Sequence, residues 1–325
     1  MSTDQDKLDI SLENELLEAE AEQSGQDPRL LLVEKAVQEA HAAGLDFRVE
    51  RGQVFVGGDG RDNEYSLDLE NKDELKLAII SDTHFGSKYE QLSALEHFCA
   101  EAVRRGVDAF LHAGDMVQGT PKMHRGMEHE VHLHSADGQV TYAAEKLPVT
   151  GKPYYIITGN HDDSWINESG TNVVRQVAAM RDDVNYIGQD SCYLTINGLR
   201  LYMVHPDGGV SYAKSYKPQK ITEAIPIRSK TQLALIGHYH TYGSFVIQET
   251  HALMLPCFQG QYPYLVRKAL YPTIGGLILH LRFDDQRIVE FNHTLITYDE
   301  VKNDWDLEAS HRLDRVGAID GLLPE

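Results

Sequence analysis

Tyr155-Ile-Ile-Thr-Gly-Asn-His-Asp162 sets a short apolar run directly before a glycine and three polar side chains of the ligand type. The same grammar recurs in Ala78-Ile-Ile-Ser-Asp-Thr-His84, Phe110-Leu-His-Ala-Gly-Asp115 and Leu235-Ile-Gly-His-Tyr-His240. A looser fifth instance is Leu201-Tyr-Met-Val-His205. Each apolar run reads as a strand, and strand ends in open α/β sheets are where sites are built. Glycine at such an end lets the backbone turn sharply and approach a ligand closely. Taken singly, Asp82-Thr-His84 reads as a capped turn. Gly159-Asn-His-Asp162 reads as a turn too, because Asn and Asp favour turns. Together, five strand ends offering carboxylate, amide and imidazole but no thiolate point to borderline divalent metals. Carboxylates neutralise such cations, and imidazole holds them without adding charge.

Outward from these segments, the chain reads as β/α units followed by a mostly β half. Strands are expected at Leu77–Ile80, Asp108–His112 and Pro153–Thr158, with helices over 90–105, Gln139–Lys146 and Val173–Met180. Later strands are expected at Cys192–Ile196, Leu199–Val204, Leu233–Ile236, Ser244–Gln248, Ala252–Leu255, Gly276–Phe283 and Val289–Thr297. An α/β (α+β) arrangement of two mixed sheets packed face to face, with helices outside, accommodates this order.

The 325 residues are 42% hydrophobic and 25% charged, which excludes a mainly disordered chain, a collagen-like fibre and a membrane bundle. No run approaches the roughly 18 apolar residues that a spanning helix needs. Three cysteines, Cys99, Cys192 and Cys257, are too far apart for a disulfide framework or a Cys-rich zinc site, and they fit a reducing cytoplasm. The net charge is −20, of which residues 1–75 carry −13 (20 acids, 7 bases) and residues 76–325 carry −7. Gripping nucleic acid by bulk electrostatics would need the opposite sign. Cations bound in a cleft could reverse the sign locally.

Four segments are expected. Residues 1–27, with nine acids and one base, form an acidic, solvated tail that lacks the apolar core of a secretory signal. Residues 28–75 form a small appendage, a helix from Asp27-Pro28 to Gly44 and then a hairpin of Phe47–Glu50 and Gln53–Val56. A possible strand, Tyr65–Leu69, follows. Helix plus hairpin could also be part of a winged-helix DNA reader, although the helix offers only Lys35 as a cation. Residues 76–297 form the main domain, and 298–325 a charged tail against it.

Asp82-x-His84, Gly114-Asp115, Gly159-Asn-His-Asp162, His205 and Gly237-His-x-His240, in this order, resemble the calcineurin-like metallophosphoesterase superfamily. The nearest branch is the nuclease type of Mre11 and SbcD. The resemblance covers about 76–297 and implies a four-layer αββα sandwich that hydrolyses phosphoesters through a metal-bridging hydroxide. It implies one metal held by Asp82, His84 and His240, a second by Asn160, His205 and His238, and Asp115 bridging both. His161 resembles the residue that protonates the leaving oxygen, and Asp162 either orients it or shapes the turn. Mn²⁺ is the first expectation for the metal pair, with Zn²⁺, Fe²⁺ or Ni²⁺ as alternatives.

Two further segments are candidates for substrate contact. Lys122 and Arg125 open a segment with four histidines, His124, His129, His132 and His134, after the Asp115 motif. Ser211–Lys220 interleaves Lys214, Lys217 and Lys220 with Tyr212 and Tyr216, ahead of Arg228 and Lys230, a pattern that suits single-stranded nucleic acid. Tyr262, Tyr264, Arg267 and Lys268 could extend that surface. A solvated loop or a subunit contact is the ordinary reading of the first segment and an exposed helix-and-loop face that of the second, while core packing with a charged rim explains the third equally well.

The expected function is therefore a two-metal phosphodiesterase, a DNA or RNA nuclease, soluble and cytoplasmic with no membrane partner. A phosphomonoesterase or small-nucleotide hydrolase is the second enzymatic reading. A third is a polymerase or repair-complex subunit, since some relatives keep the fold as scaffolds. A homo-oligomer, or a protein partner bound through the acidic tail, accompanies these readings. After 297 too few residues remain for the capping domain of Mre11.

Overall fold

The computed structural model describes residues 47–50, 53–56, 64–69, 73–284 and 286–301. It divides into two units, residues 1–61 and 62–325. Of the first unit, the described part is the expected hairpin, β1 (Phe47–Glu50) paired antiparallel with β2 (Gln53–Val56). The acidic tail, the expected helix up to Gly44 and residues 302–325 lie outside the described residues.

The second unit is built on two six-stranded mixed sheets. The first contains β4 (Glu74–Ile80), β5 (Ala109–Ala113), β6 (Tyr154–Ile157) and β7 (Val184–Gly188) in parallel. β13 (Gly275–Asp284) and β14 (Arg287–Thr297) extend it antiparallel beyond β4. The second sheet runs β11 (Gly243–Ile247), β12 (Thr250–Met254), β10 (Leu233–Ile236), β9 (Leu199–Val204), β8 (Ser191–Ile196) and β3 (Glu64–Leu67).

Strand periodicity explains the layering. On β4, Leu75, Leu77 and Ile79 face the second sheet, while Ala78 and Ile80 face the helices. Leu111, Ala113 and Ile157 join the same inner layer against Leu194, Leu201, Met203, Leu235 and Leu253, all buried. Outside the first sheet lie α1 (Leu92–Arg104), α2 (Ala136–Lys146), α3 (Asn160–Ser169) and α4 (Val173–Met180). Phe98, Val140, Ala143, Val174 and Val177 pack from these helices onto the sheet. Beyond the second sheet, Ile221 of α5 (Tyr216–Ala224) packs against Ala234, Ile236 and Met254. This is the α/β sandwich expected: helices, sheet, sheet, helix.

The strand expected in the appendage is instead Glu64–Leu67, pairing in parallel with β8 in the second sheet. The main body therefore starts before residue 76, and the appendage does not extend to 75. The two chain segments that form this pair are more than a hundred residues apart, so no local pattern announced it. At the other end, the Tyr298 N–H donates to Ile274 O at 3.0 Å and the Val301 N–H to Gln91 Oε1 at 2.8 Å, so the start of the expected tail lies on the body. Among the described residues no helix is long and apolar enough to cross a membrane.

Candidate metal centre

The carboxyl ends of β4, β5, β6, β9 and β10 deliver the five segments to one place. Backbone hydrogen bonds tie their loops together: the Asp82 N–H donates to Gly114 O at 3.0 Å and the His84 N–H to Asp115 O at 3.1 Å. Two glycines permit the closeness. A Cβ on Gly159 would stand 2.6 Å from the Asp115 backbone nitrogen, and one on Gly237 would stand 2.7 Å from Ser81 Oγ. Five side-chain-bearing residues here take left-handed backbone: Asp82 (φ 54°), His84 (48°), Asp115 (53°), His238 (77°) and His240 (52°). Such conformations cost about 1–3 kcal/mol each and collect where function demands them.

The polar atoms converge at short range, and hydrogen bonds satisfy only part of them. His205 Nδ1 donates to Ala113 O at 2.7 Å, which leaves the Nε2 lone pair of the neutral ring 3.0 Å from Asp115 Oδ2. His238 Nε2 donates to Gly208 O at 2.9 Å, which turns its Nδ1 lone pair toward Asn160 Oδ1, also at 2.9 Å. His84 Nε2 and His240 Nε2 stand 3.1 Å apart, and His240 Nε2 is 3.1 Å from Asp82 Oδ1. Buried Asp82 Oδ1 and His205 Nε2 have no aligned hydrogen-bond partner. Donor atoms about 2.0–2.2 Å from one ion naturally lie about 3 Å apart. Acceptors converging at that spacing, two of them buried and orphaned, fit cations. Among the described residues, three groupings are close enough to hold one: Asp82, His84 and His240; Asp115, His205 and His238; and His84, Asp115 and His161.

Without cations, protons take over the balance. Burial would depress His205, but the Asp115 and Asp82 carboxylates override it and push the imidazole up to about 10. Burial likewise opposes a charge on His240, yet Cys257 and Asp82 raise it well above the usual histidine range. His84, buried and facing His161, is held well below that range. Burial would raise Asp82 and Asp115. Instead His240 and His205 pull Asp82 below the usual carboxylate range, and His205 and His161 pull Asp115 there. The cluster thus holds two carboxylates neutralised from the imidazole side, the inventory that metal binding would exchange for cations.

His161 lies on the first turn of α3. Its backbone N–H donates to Asp115 Oδ1 at 2.8 Å, and its Nδ1 donates to Gln118 O at 2.7 Å. The ring packs edge-on against His84, and Nε2 reaches to 4.0 Å from Asp115 Oδ2. Asp162 does not touch this ring. Its buried carboxylate accepts the N–H groups of Met116, Val117 and Gly159 at 3.1, 2.9 and 2.9 Å. Burial and the Asp115 charge push Asp162 up to about 8, against the pull of those donors. Through these bonds it shapes the Asp115 loop and caps α3. Asp162→Ala should lower stability by roughly 3 kcal/mol or more, since three buried N–H groups lose their acceptor. Urea unfolding measures this, and a loss under about 1 kcal/mol contradicts the role.

The histidine-rich segment divides. His124 is buried, donates Nε2–H to the same Gln118 carbonyl at 2.9 Å, and lies 5.4 Å from His161 ring to ring. His132 contacts buried Glu90, while His129 and His134 are exposed. Lys217 stands 3.4 Å from where a Gly208 Cβ would be and 5.9 Å from the Tyr239 ring, beside His238. Lys122, Arg125 and Lys214 are exposed, and no described hydrogen bond or ring contact joins them to the cluster. Sequence reasoning missed the buried glutamines. Gln118 supplies the carbonyl for His161. Gln139 clamps the Gly119 peptide from both sides and accepts the Trp165 indole N–H. Gln259 donates to Ser87 Oγ and Gln118 Oε1. Gln118 follows the apolar pair Met116-Val117, but Gln139 and Gln259 have polar or glycine neighbours, so no local signal set them apart.

Residues 75–256 match the Calcineurin-like phosphoesterase superfamily domain. The DNA polymerase II small subunit of Archaeoglobus fulgidus is 24% identical over 266 residues, 66% of this chain and 54% of that protein. The chain thus spans about half the length of this curated relative. Among solved structures, an archaeal phosphodiesterase is similar at 13% identity and a TM-score of 0.41, covering 68% of this chain and all of that one. A zinc-complexed Vps29 from Entamoeba histolytica is similar at 10% identity and a TM-score of 0.35, covering 69% of this chain and all of that one.

Proposed function

Because the chain belongs to the calcineurin-like phosphoesterase superfamily, we propose that it hydrolyses phosphodiester bonds in nucleic acid with two divalent cations, Mn²⁺ the first choice. The observation that carries this reading is the convergence of acceptor atoms, two of them buried orphans, around Asp115. Asp82, His84 and His240 would hold one cation, and Asn160, His205 and His238 the other, with Asp115 shared. Bound there, a cation pair clamps a phosphoryl group and lowers the pKa of a water beside it. A water that has released one proton to solvent would add to phosphorus, the bond to the leaving oxygen would break, and that oxygen would take a proton from Nε2 of the imidazolium form of His161. The Gln118 carbonyl keeps Nδ1 occupied, so Nε2 is the nitrogen left to face the cluster.

Lys217, beside His238, supports a polyanionic substrate, and Lys214, Lys122 and Arg125 would contact phosphates farther out. Lys217→Ala should weaken single-strand binding severalfold and reduce its salt slope by about one. Unchanged binding returns Lys217 to an ordinary surface charge. The direct test of the reaction is a metal-reconstituted panel: chromogenic diester and monoester, single- and double-stranded DNA, and RNA. Diester and nucleic-acid cleavage should exceed monoester cleavage. Hydrolysis of monoesters alone assigns the site to a phosphomonoesterase.

A second reading, a subunit of a larger nucleic-acid enzyme, is favoured by the polymerase small-subunit relative. Pull-downs with the full chain and with a variant lacking residues 1–27 would examine it. Partners that survive the deletion remove the acidic tail as their contact.

A further inference from the structure

The segment after β12 is hydrogen-bonded along the loop that carries Asp82 and His84. The Phe258 N–H donates to Asp82 O at 3.0 Å, and the Gly260 N–H to Tyr89 O at 2.7 Å. Through its bonds to Ser87 and Gln118, Gln259 ties this segment to the loops that carry Asp82, His84 and Asp115. Tyr262 comes next. Burial, helped by Tyr264 and Glu130, raises its phenol above the usual tyrosine range. The Tyr262 and Tyr264 rings are nearly parallel, 18° apart in plane with centroids at 6.0 Å. Tyr89 adds a third ring, 5.9 Å from Tyr262. Lys268 Nζ lies over the Tyr264 ring, 5.7 Å from its centroid.

This row is rigid and open. α6 (Pro263–Arg267) begins with a proline, anchors on buried Leu265, and closes through the Lys268 N–H to Tyr264 O at 3.1 Å. Tyr264 is nevertheless 39% exposed and Tyr271 71%, large aromatic surface for a chain to leave in water. No part of the phosphoester chemistry argued above uses these rings.

We propose that Tyr264, backed by Tyr262 and flanked by Lys268, is a stacking platform for an unpaired nucleobase of a single-stranded nucleic acid whose backbone crosses the cluster. The proposal rests on the nucleic-acid reading and names the form of that substrate. Every base has a π-face, a ring held parallel to its neighbour extends a stack, and a nearby ammonium suits the adjoining phosphate. Stacking also suits a protein of net charge −20, which cannot rely on bulk electrostatic attraction. Continuity with the ligand loops favours nucleic acid over a protein partner, which would have no reason to begin beside them.

The test uses the full chain in EDTA, so that binding is read without hydrolysis, with end-labelled ten-residue oligothymidylate and an abasic strand of equal length. Fluorescence anisotropy should show the native protein preferring oligothymidylate. Tyr264→Ala should weaken that binding about tenfold and leave abasic binding unchanged, while Tyr264→Phe binds as the native protein does. Equal binding of the two strands by native protein, no binding of either, or an unaffected Tyr264→Ala overturns the platform. An unaffected Tyr264→Ala is also the outcome expected if the patch serves a protein. Hydrolysis of a base-free chromogenic diester tests the reaction separately, because it does not engage these rings.

Discussion

Asp115→Ala is expected to lose stoichiometric metal and turnover together. In the proposed arrangement Asp115 would be the carboxylate shared by the two cations, and its Oδ2 lies 3.0 Å from His205 Nε2 and 3.8 Å from His84 Nε2. Without it, four imidazoles face one another around a single remaining carboxylate, Asp82, and neither cation keeps its charge balance. Metal clamping of a phosphoryl group is worth several kcal/mol, so the loss in turnover should be on the order of 10³-fold or more. Elemental analysis of the reconstituted variant gives the metal content, and circular dichroism reports the fold. A folded variant that retains two equivalents of metal contradicts the shared role.

His161→Ala should separate the two properties that Asp115→Ala removes together. The backbone N–H that His161 gives to Asp115 Oδ1 survives the substitution, so the carboxylate stays placed and metal content should hold. Turnover of a nucleic acid, whose leaving alkoxide needs a proton, should fall by about 10²- to 10⁴-fold. With a nitrophenyl diester the leaving oxygen is stable unprotonated, and the loss should shrink. Turnover within about threefold of native on the alkoxide substrate refutes the acid role. Loss of metal would instead assign His161 to the ligand set.

Much of this was readable before any coordinates, for identifiable reasons. β4, β5, β6, β9 and β10 are short apolar runs followed at once by polar ligand-type residues, with a glycine between after β5, β6 and β10, and nearly all match the expected bounds within a residue or two. β4 is longer than its apolar run because Glu74–Lys76 continue the ladder to β13 with half their side chains at the surface. Among the elements that escaped notice are α3 and β7. α3 begins at Asn160, and Asn-His-Asp-Asp favours turns locally. What makes it helical is Asp162 returning to the Gly159 N–H, a cap recognisable only once the acid is seen as the third helical residue. β7 mixes Asn185 and Tyr186 into a five-residue strand at a sheet edge, too short and too polar to show a period. The pairing of β3 with β8, the burial of Gln118, Gln139 and Gln259, and the selection of His124 from four neighbouring histidines all depend on contacts between distant segments. Local propensity carries no record of those contacts.

The ligand types were legible because chemistry restricts them, whereas their roles depend on which ring nitrogen is free. Ala113 O and Gly208 O settle that for His205 and His238 by occupying the opposite nitrogen. The most direct measurement is anomalous diffraction from crystals of the native chain loaded with Mn²⁺. Two peaks are predicted, one against Asp82, His84 and His240, the other against Asn160, His205 and His238, with Asp115 touching both. Fully loaded crystals with no peak there, or with manganese bound only elsewhere on the surface, would contradict the account.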